Sequence, residues 1–179
     1  MSGALQVLPV ERFDEREIEG LSRVLLDCVA GGASVSFMAP LTPAKAQAFW
    51  RGAGASARRG ERCVLAAYEA SGEIVGTVQL LLDLPENQPH RADLAKMLVH
   101  RQARQHGVGA ALLVAAEQQA RALGRTLLVL DTASAEAARL YARHGWQRVG
   151  EIPDYALYPD GRPCATTVFF KSLAPAAPQ

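Results

Sequence analysis

A basic, glycine-bearing loop stands directly in front of a helix-like segment in RQARQHGVGAALL, residues 101–113. The stretch before it, RADLAKMLV (91–99), reads as a strand, and TLLVLD (126–131) follows the helix as a short, almost wholly apolar strand. A strand of that kind is covered on both faces, as in a parallel pair joined by a crossover helix. Strand, glycine loop, helix and buried strand in this order constrain the fold more than any other feature of the chain.

The remaining elements assemble around that unit. LQVLPV (5–10) predicts a short opening strand. Asp14 is placed to cap a helix, with Glu17 three residues on completing a capping box, and Gly31-Gly32 stops that helix after Ala30. Thr42-Pro43 opens a second helix, since proline fits the first helical position, and it frays near Arg58-Arg59-Gly60. RCVLAAYEA and EIVGTVQLLLDL flank Ser71-Gly72 and predict an antiparallel hairpin. The helix after residue 107 places Val108, Ala111, Leu112, Ala115 and Leu123 on one face, with Glu117, Gln118 and Arg121 on the other. A further helix runs from about Ser134 to His144, and WQRVGEI and TTVFFKSL are closing strands separated by a loop containing PDG. The expected architecture is α/β: a mixed, mostly antiparallel central sheet with helices on both faces, and one parallel crossover. A single domain over 1–173 is expected, with APAAPQ (174–179) a disordered tail.

Bulk properties exclude several classes. A net charge of +1 sets up no global field toward nucleic acid or membrane. The N-terminal residues lack a basic start followed by a long apolar core, so no signal peptide is expected. No apolar run approaches the roughly 18 residues of a membrane span. Cys28, Cys63 and Cys164 are odd in number and form no CxxC pair, which points to free thiols in a reducing cytoplasm. His90, His100, His106 and His144 lack ligand spacing, so no metal site is expected.

The opening loop carries the chemistry. A helix N-terminus exposes unpartnered N–H groups at the positive end of the helix dipole. Gly107 and Gly109 let a bulky anion approach the backbone, with Arg104 and His106 on the approach. A P-loop needs Gly-Lys-Ser/Thr, which is absent, and the dinucleotide fingerprint needs a third glycine where Leu112 stands. What remains is R-x-x-G-x-G from Arg104 to Gly109, which by itself is also compatible with a tightened strand-to-helix turn.

In this order of elements, R-x-x-G-x-G resembles the coenzyme A motif of the GNAT superfamily of N-acetyltransferases. The resemblance continues in ASAEAARLYARHGWQRVGEI, with Ala137, Tyr141, Gly145 and Trp146 at the family's helix–strand signature. More narrowly, GGASVSFMAPL, RADLAKMLV, LLVLDT, RVGEIPDY and PDGRPCATTVFFKSL are similar to the tabtoxin-resistance acetyltransferase group. The chain departs from the pattern at Ser134, where the family often has Asn, and at Gln105-His106, where many members have Arg-Gly. The resemblance implies acetyl-CoA as cofactor. Its diphosphate would lie on Arg104, Gln105, His106, Gly107, Val108, Gly109 and Ala110. Met97, Leu98 and Val99 would take the pantetheine arm like an added strand, and Ser134 and Ala137 would complete the site.

Acetyl transfer needs a neutral amine, whereas an alkyl ammonium of pKa ~10.4 is overwhelmingly charged at pH 7. Asp93 is the first candidate base, 14 residues before Gly107 (107 − 93), where many family members place a glutamate. Asp131, at the carboxyl end of the neighbouring strand, is the rival, and the two carboxylates can share the task. Each also has a structural reading: Asp93 pairing with a nearby arginine, Asp131 capping the next helix. Tyr141 is the candidate acid for the leaving thiolate, or else a core tyrosine. None of the three cysteines has the histidine context of a nucleophile. Phe37, Met38, Trp50 and Tyr155 are candidates for the acceptor pocket. The acceptor implied is a small amine on an amino-acid-like molecule, possible homodimerisation is implied too, and polyamines, aminoglycosides and protein N-termini stay open. A silent acyl-CoA-binding sensor and a nucleotide-binding domain are the competing readings.

Overall fold

The computed structural model describes residues 5–173, so the tail expected at 174–179 lies outside the described residues. Seven strands form one sheet: β1 (Gln6–Pro9), β2 (Arg62–Tyr68), β3 (Ile74–Leu81), β4 (Arg91–Val99), β5 (Leu127–Thr132), β6 (Gln147–Leu157) and β7 (Pro163–Ser172). Four α-helices accompany them: α1 (Glu15–Ala30), α2 (Pro43–Arg58), α3 (Val108–Ala122) and α4 (Ala135–Arg143). The spatial order β1-β2-β3-β4-β5-β7-β6 is antiparallel throughout except for the parallel β4–β5 pair.

The period-2 alternation of β2 divides the core. Leu65 and Ala67 pack with Val108, Leu112, Leu113, Ala116 and Ala120 of α3, whereas Val64 and Ala66 pack with Ile18, Leu21 and Leu25 of α1 and with Trp50 of α2. The expected caps form as read. Asp14 and Glu17 make a reciprocal capping box on α1, and Thr42 accepts from Lys45 N ahead of Pro43 on α2.

The α3 face is shifted from the expected one. Leu123 is exposed, and Glu117, expected on the solvent face, is buried. Its carboxylate accepts from Lys171 Nζ at 2.7 Å and from Trp146 Nε1 at 3.0 Å, so partners on β7 and beyond α4 make its burial tolerable.

The C-terminal segment also differs from expectation. Residues 153–164 were expected as a loop, yet β6 runs on to Leu157 and β7 begins at Pro163. The register slips between Ile152 and Ala156, and Asp154 takes φ of 52° there. A bulge lets Pro153 sit inside a strand, because no ladder N–H is required at that point.

Trp50 is fully buried, with 0% of its surface exposed. Truncating it leaves a large void against the sheet, so Trp50→Ala is expected to lose about 3–5 kcal/mol. Denaturant titration checks this; a loss under about 1 kcal/mol would contradict the packing described.

Candidate active site

The parallel pairing of β4 with β5 extends over only Arg91–Leu127, Ala92–Leu128 and Asp93–Val129. Beyond Asp93 the strands splay, and among the described residues the β5-facing backbone of Leu94–Val99 has no strand partner. An unpaired backbone edge away from bulk water needs hydrogen-bond partners from elsewhere. The splay opens a cleft of about 1010 Å³, lined by Leu94–Val99, the start of α3, the end of β5, α4, the loop after α1 and the β6–β7 hairpin.

One end of the cleft is the start of α3. Gly107 is its N-cap, with φ of 81°, and contributes no side-chain cap. The α1, α2 and α4 N-termini are each closed by a side chain, from Asp14, Thr42 and Ser134. The first bond into the turn is Ala111 N to Gly107 O, which leaves the preceding N–H groups pointing out of the helix. A Cβ at Gly107 would meet nothing within 4 Å, so the space in front of this terminus is open. Arg104 lines the cleft and its Nε donates to Val99 O at 3.2 Å. The short turn before it is clamped by Asp27, whose carboxylate accepts from Arg101 N at 2.7 Å and pairs with the Arg101 guanidinium at 3.0 Å. Burial pushes the Asp27 carboxyl up, but these Arg101 contacts outweigh it and hold the carboxyl below its usual range.

A model of the acetyltransferase (GNAT) domain matches residues 59–148, half of the chain and all of this cleft's β4–α3–β5–α4 framework. The chain belongs to the GNAT acetyltransferase family. A relative from Azospirillum brasilense, called an uncharacterized N-acetyltransferase in the hisH-hisA intergenic region, is 29% identical over 168 residues, spanning 83% of this chain and 97% of its own. An N-acetyltransferase from Staphylococcus aureus Mu50 shares the fold with a TM-score of 0.79 at 16% identity, covering 96% of this chain and 100% of that one. The yncA protein of Salmonella typhimurium, solved with its cofactor acetyl-CoA, superposes with a TM-score of 0.78 at 18% identity, covering 99% of each chain. These matches reach the family and not the tabtoxin-resistance group within it. They make the protein an acyltransferase with acetyl-CoA as donor, in place of the sensor and nucleotide readings.

The residues of this acetyltransferase fit that donor. The uncapped helix start with Gly107 and Gly109 suits a diphosphate, and the free edge of β4 suits an extended amide-bearing chain. Met97, Leu98, Val99, Arg104, Gln105, Gly107, Val108, Gly109, Ala110, Ser134 and Ala137 all line the cleft. His106 does not; it is exposed at the crest of the loop, between Gln105 with φ of 63° and Gly107. Ser134 spends its hydroxyl capping α4, accepting from Ala137 N at 3.2 Å.

At the other end, Tyr141 and Asp131 line the cleft together. Tyr141 is buried against Trp146 and Phe169, and burial, reinforced by the Asp131 charge, drives its hydroxyl far above the ordinary tyrosine range. Asp131 accepts from Thr166 Oγ1 at 2.7 Å, a contact no sequence pattern announced. Asp93, the first candidate for the base, is not among the cleft-lining residues. It sits within the paired part of β4, bridged to Arg91 at 3.3 Å, and burial raises its carboxyl above the usual range despite that arginine.

Phe37, Met38 and Tyr155 line the acceptor end, but Trp50 does not. Successive helical residues point about 100° apart. Phe49 consequently meets Phe37 at 5.3 Å between ring centroids, whereas Trp50 turns into the sheet. The loop carrying Phe37 is tied across to the β6–β7 hairpin by Ser34 Oγ donating to Leu157 O at 2.8 Å and by Ala39 N donating to Pro159 O at 3.0 Å. Lys96, read only as part of a strand, also faces this end.

Proposed function

We propose that this acetyltransferase moves an acetyl group directly to a primary amine of a small, amino-acid-like molecule, as in detoxification of an antibiotic or toxin. Cytoplasmic work fits the three cysteines, all free, and a homodimer fits the same reading. The observation that carries it is one cleft running from the uncapped start of α3 to a carboxylate and a buried tyrosine, Asp131 and Tyr141. Bound there, acetyl-CoA supplies an activated thioester carbonyl.

The chain's own residues do the rest. Asp131 Oδ takes a proton from the incoming ammonium, with Thr166 fixing the carboxylate's orientation. Backbone N–H groups on the open edge of β4 near Leu98 offer preorganised donors to a carbonyl oxygen. Tyr141 Oη is protonated at neutral pH, and as it hands its proton to the departing thiolate it takes up the proton the attacking nitrogen sheds on forming the amide. Asp93 lies beside this arrangement in the paired part of the strand, bridged to Arg91.

The test is thiol release from acetyl-CoA across an amine panel, with Asp131→Asn beside Asp93→Asn. Loss of the base is expected to lower kcat by about 10²–10⁴-fold in Asp131→Asn. Asp93→Asn is expected to stay within roughly tenfold of wild type, since its carboxylate acts only through its neighbours. A reversed order would return the base to Asp93.

A further inference from the structure

Lys96 occupies a bulge. Ala95 pairs with Gln79 and Leu98 with Thr77, so β4 spends three steps where β3 spends two, and Lys96 adopts φ of 51°. A non-glycine residue held in the left-handed region inside a strand is an uncommon conformation, and such strain gathers at functional sites. The bulge places Lys96 on the cleft wall, with its side chain reaching toward the loop after α1 and toward α2. Its Nζ donates to Ser36 Oγ at 2.9 Å and stands 5.9 Å from the centre of the Phe49 ring.

The charge there is not neutralised by close contact. No ion pair among the described residues includes Lys96, whereas Lys171 meets Glu117 at 2.7 Å. Burial lowers the Lys96 ammonium from its usual range, with the Asp131 charge acting in the other direction. Asp131 lines the same cleft and makes no ion pair with Lys96. A partly buried cation lacking a contact anion is costly unless a counter-charge arrives. The diphosphate cradle lies at the start of α3 and has Arg104 of its own.

Resting on the acetyltransferase reading above, we infer that the acceptor carries a carboxylate besides its amine, held by Lys96 and Ser36 while the amine faces Asp131. Lys96 is then the specificity determinant of the site. It admits zwitterionic amino compounds and repels polycations, the polyamines and aminoglycosides the sequence left open.

The experiment compares initial rates of thiol release from acetyl-CoA for free L-amino acids, their α-amides, a linear polyamine and an aminoglycoside. Acids are expected to exceed the matched amides at least about tenfold in kcat/KM, as befits a charge-assisted hydrogen bond, with no turnover of the polycations. Lys96→Met is expected to raise KM for the acids by roughly tenfold to a hundredfold, erasing the gap to the amides, while Lys96→Arg keeps most of it. Melting temperature and calorimetric acetyl-CoA affinity verify that both variants are folded and loaded. Amides or polycations matching the acids, an unchanged gap in Lys96→Met, or turnover of amides or polycations without the acids would each overturn the anchor. Failure of the parent reading is separate: no acceptor of the four kinds would release thiol from protein that still binds acetyl-CoA.

Discussion

Gly107→Glu is expected to abolish calorimetrically measurable acetyl-CoA binding, a loss of more than a hundredfold, in a protein that still folds. Two effects act together. The substitution sets a carboxylate in the open space before the one α-helix start among the described residues that no side chain caps, where an incoming anion would meet it. It also forces a side chain into a backbone with φ of 81°, a strain of about 1–2 kcal/mol that lowers stability by a few degrees. Gly107→Ala carries the strain without the charge, so it separates the two. Should Gly107→Glu bind acetyl-CoA like wild type, the α3 N-terminus is not the anion site.

Tyr141→Phe is expected to lower kcat by about 10²–10³-fold while acetyl-CoA affinity stays near wild type. The ring remains packed at 5.7 Å from Trp146 and 5.9 Å from Phe169, and no hydrogen bond within the described protein is lost with the hydroxyl. Stability is therefore expected to change little. Unchanged turnover would reduce Tyr141 to a core tyrosine, and a large fall in melting temperature would show its hydroxyl to be structural.

The framework was legible wherever a local signal stood in the chain. The capping box at Asp14–Glu17, Thr42-Pro43 before α2, and Gly107 ahead of α3 mark helix starts that the structure reproduces. The crossover from β4 through α3 to β5 follows from the apolar run at its end. What failed to show was whatever depends on partners remote in sequence. Glu117 is polar by composition, and Lys171 and Trp146, 54 and 29 residues away, make its burial possible. Trp50 and Phe49 are both aromatic, and the helix phase alone decides which of them meets Phe37. The counting that favoured Asp93 locates a strand position, but the site depends on where β4 parts from β5, which spacing does not encode. Lys96 was hidden for a related reason, because a bulge has no composition of its own.

The parting of β4 and β5 has an evolutionary consequence. Recognition through peptide groups is indifferent to which side chains the strand carries, provided the strand keeps its course. Chains only 15–21% identical to this one share its fold. Under the proposed mode of binding, the side chains of β4 need not hold the donor and are free to serve the acceptor. On that reading the lysine at position 96 is one of the side chains left free for the acceptor.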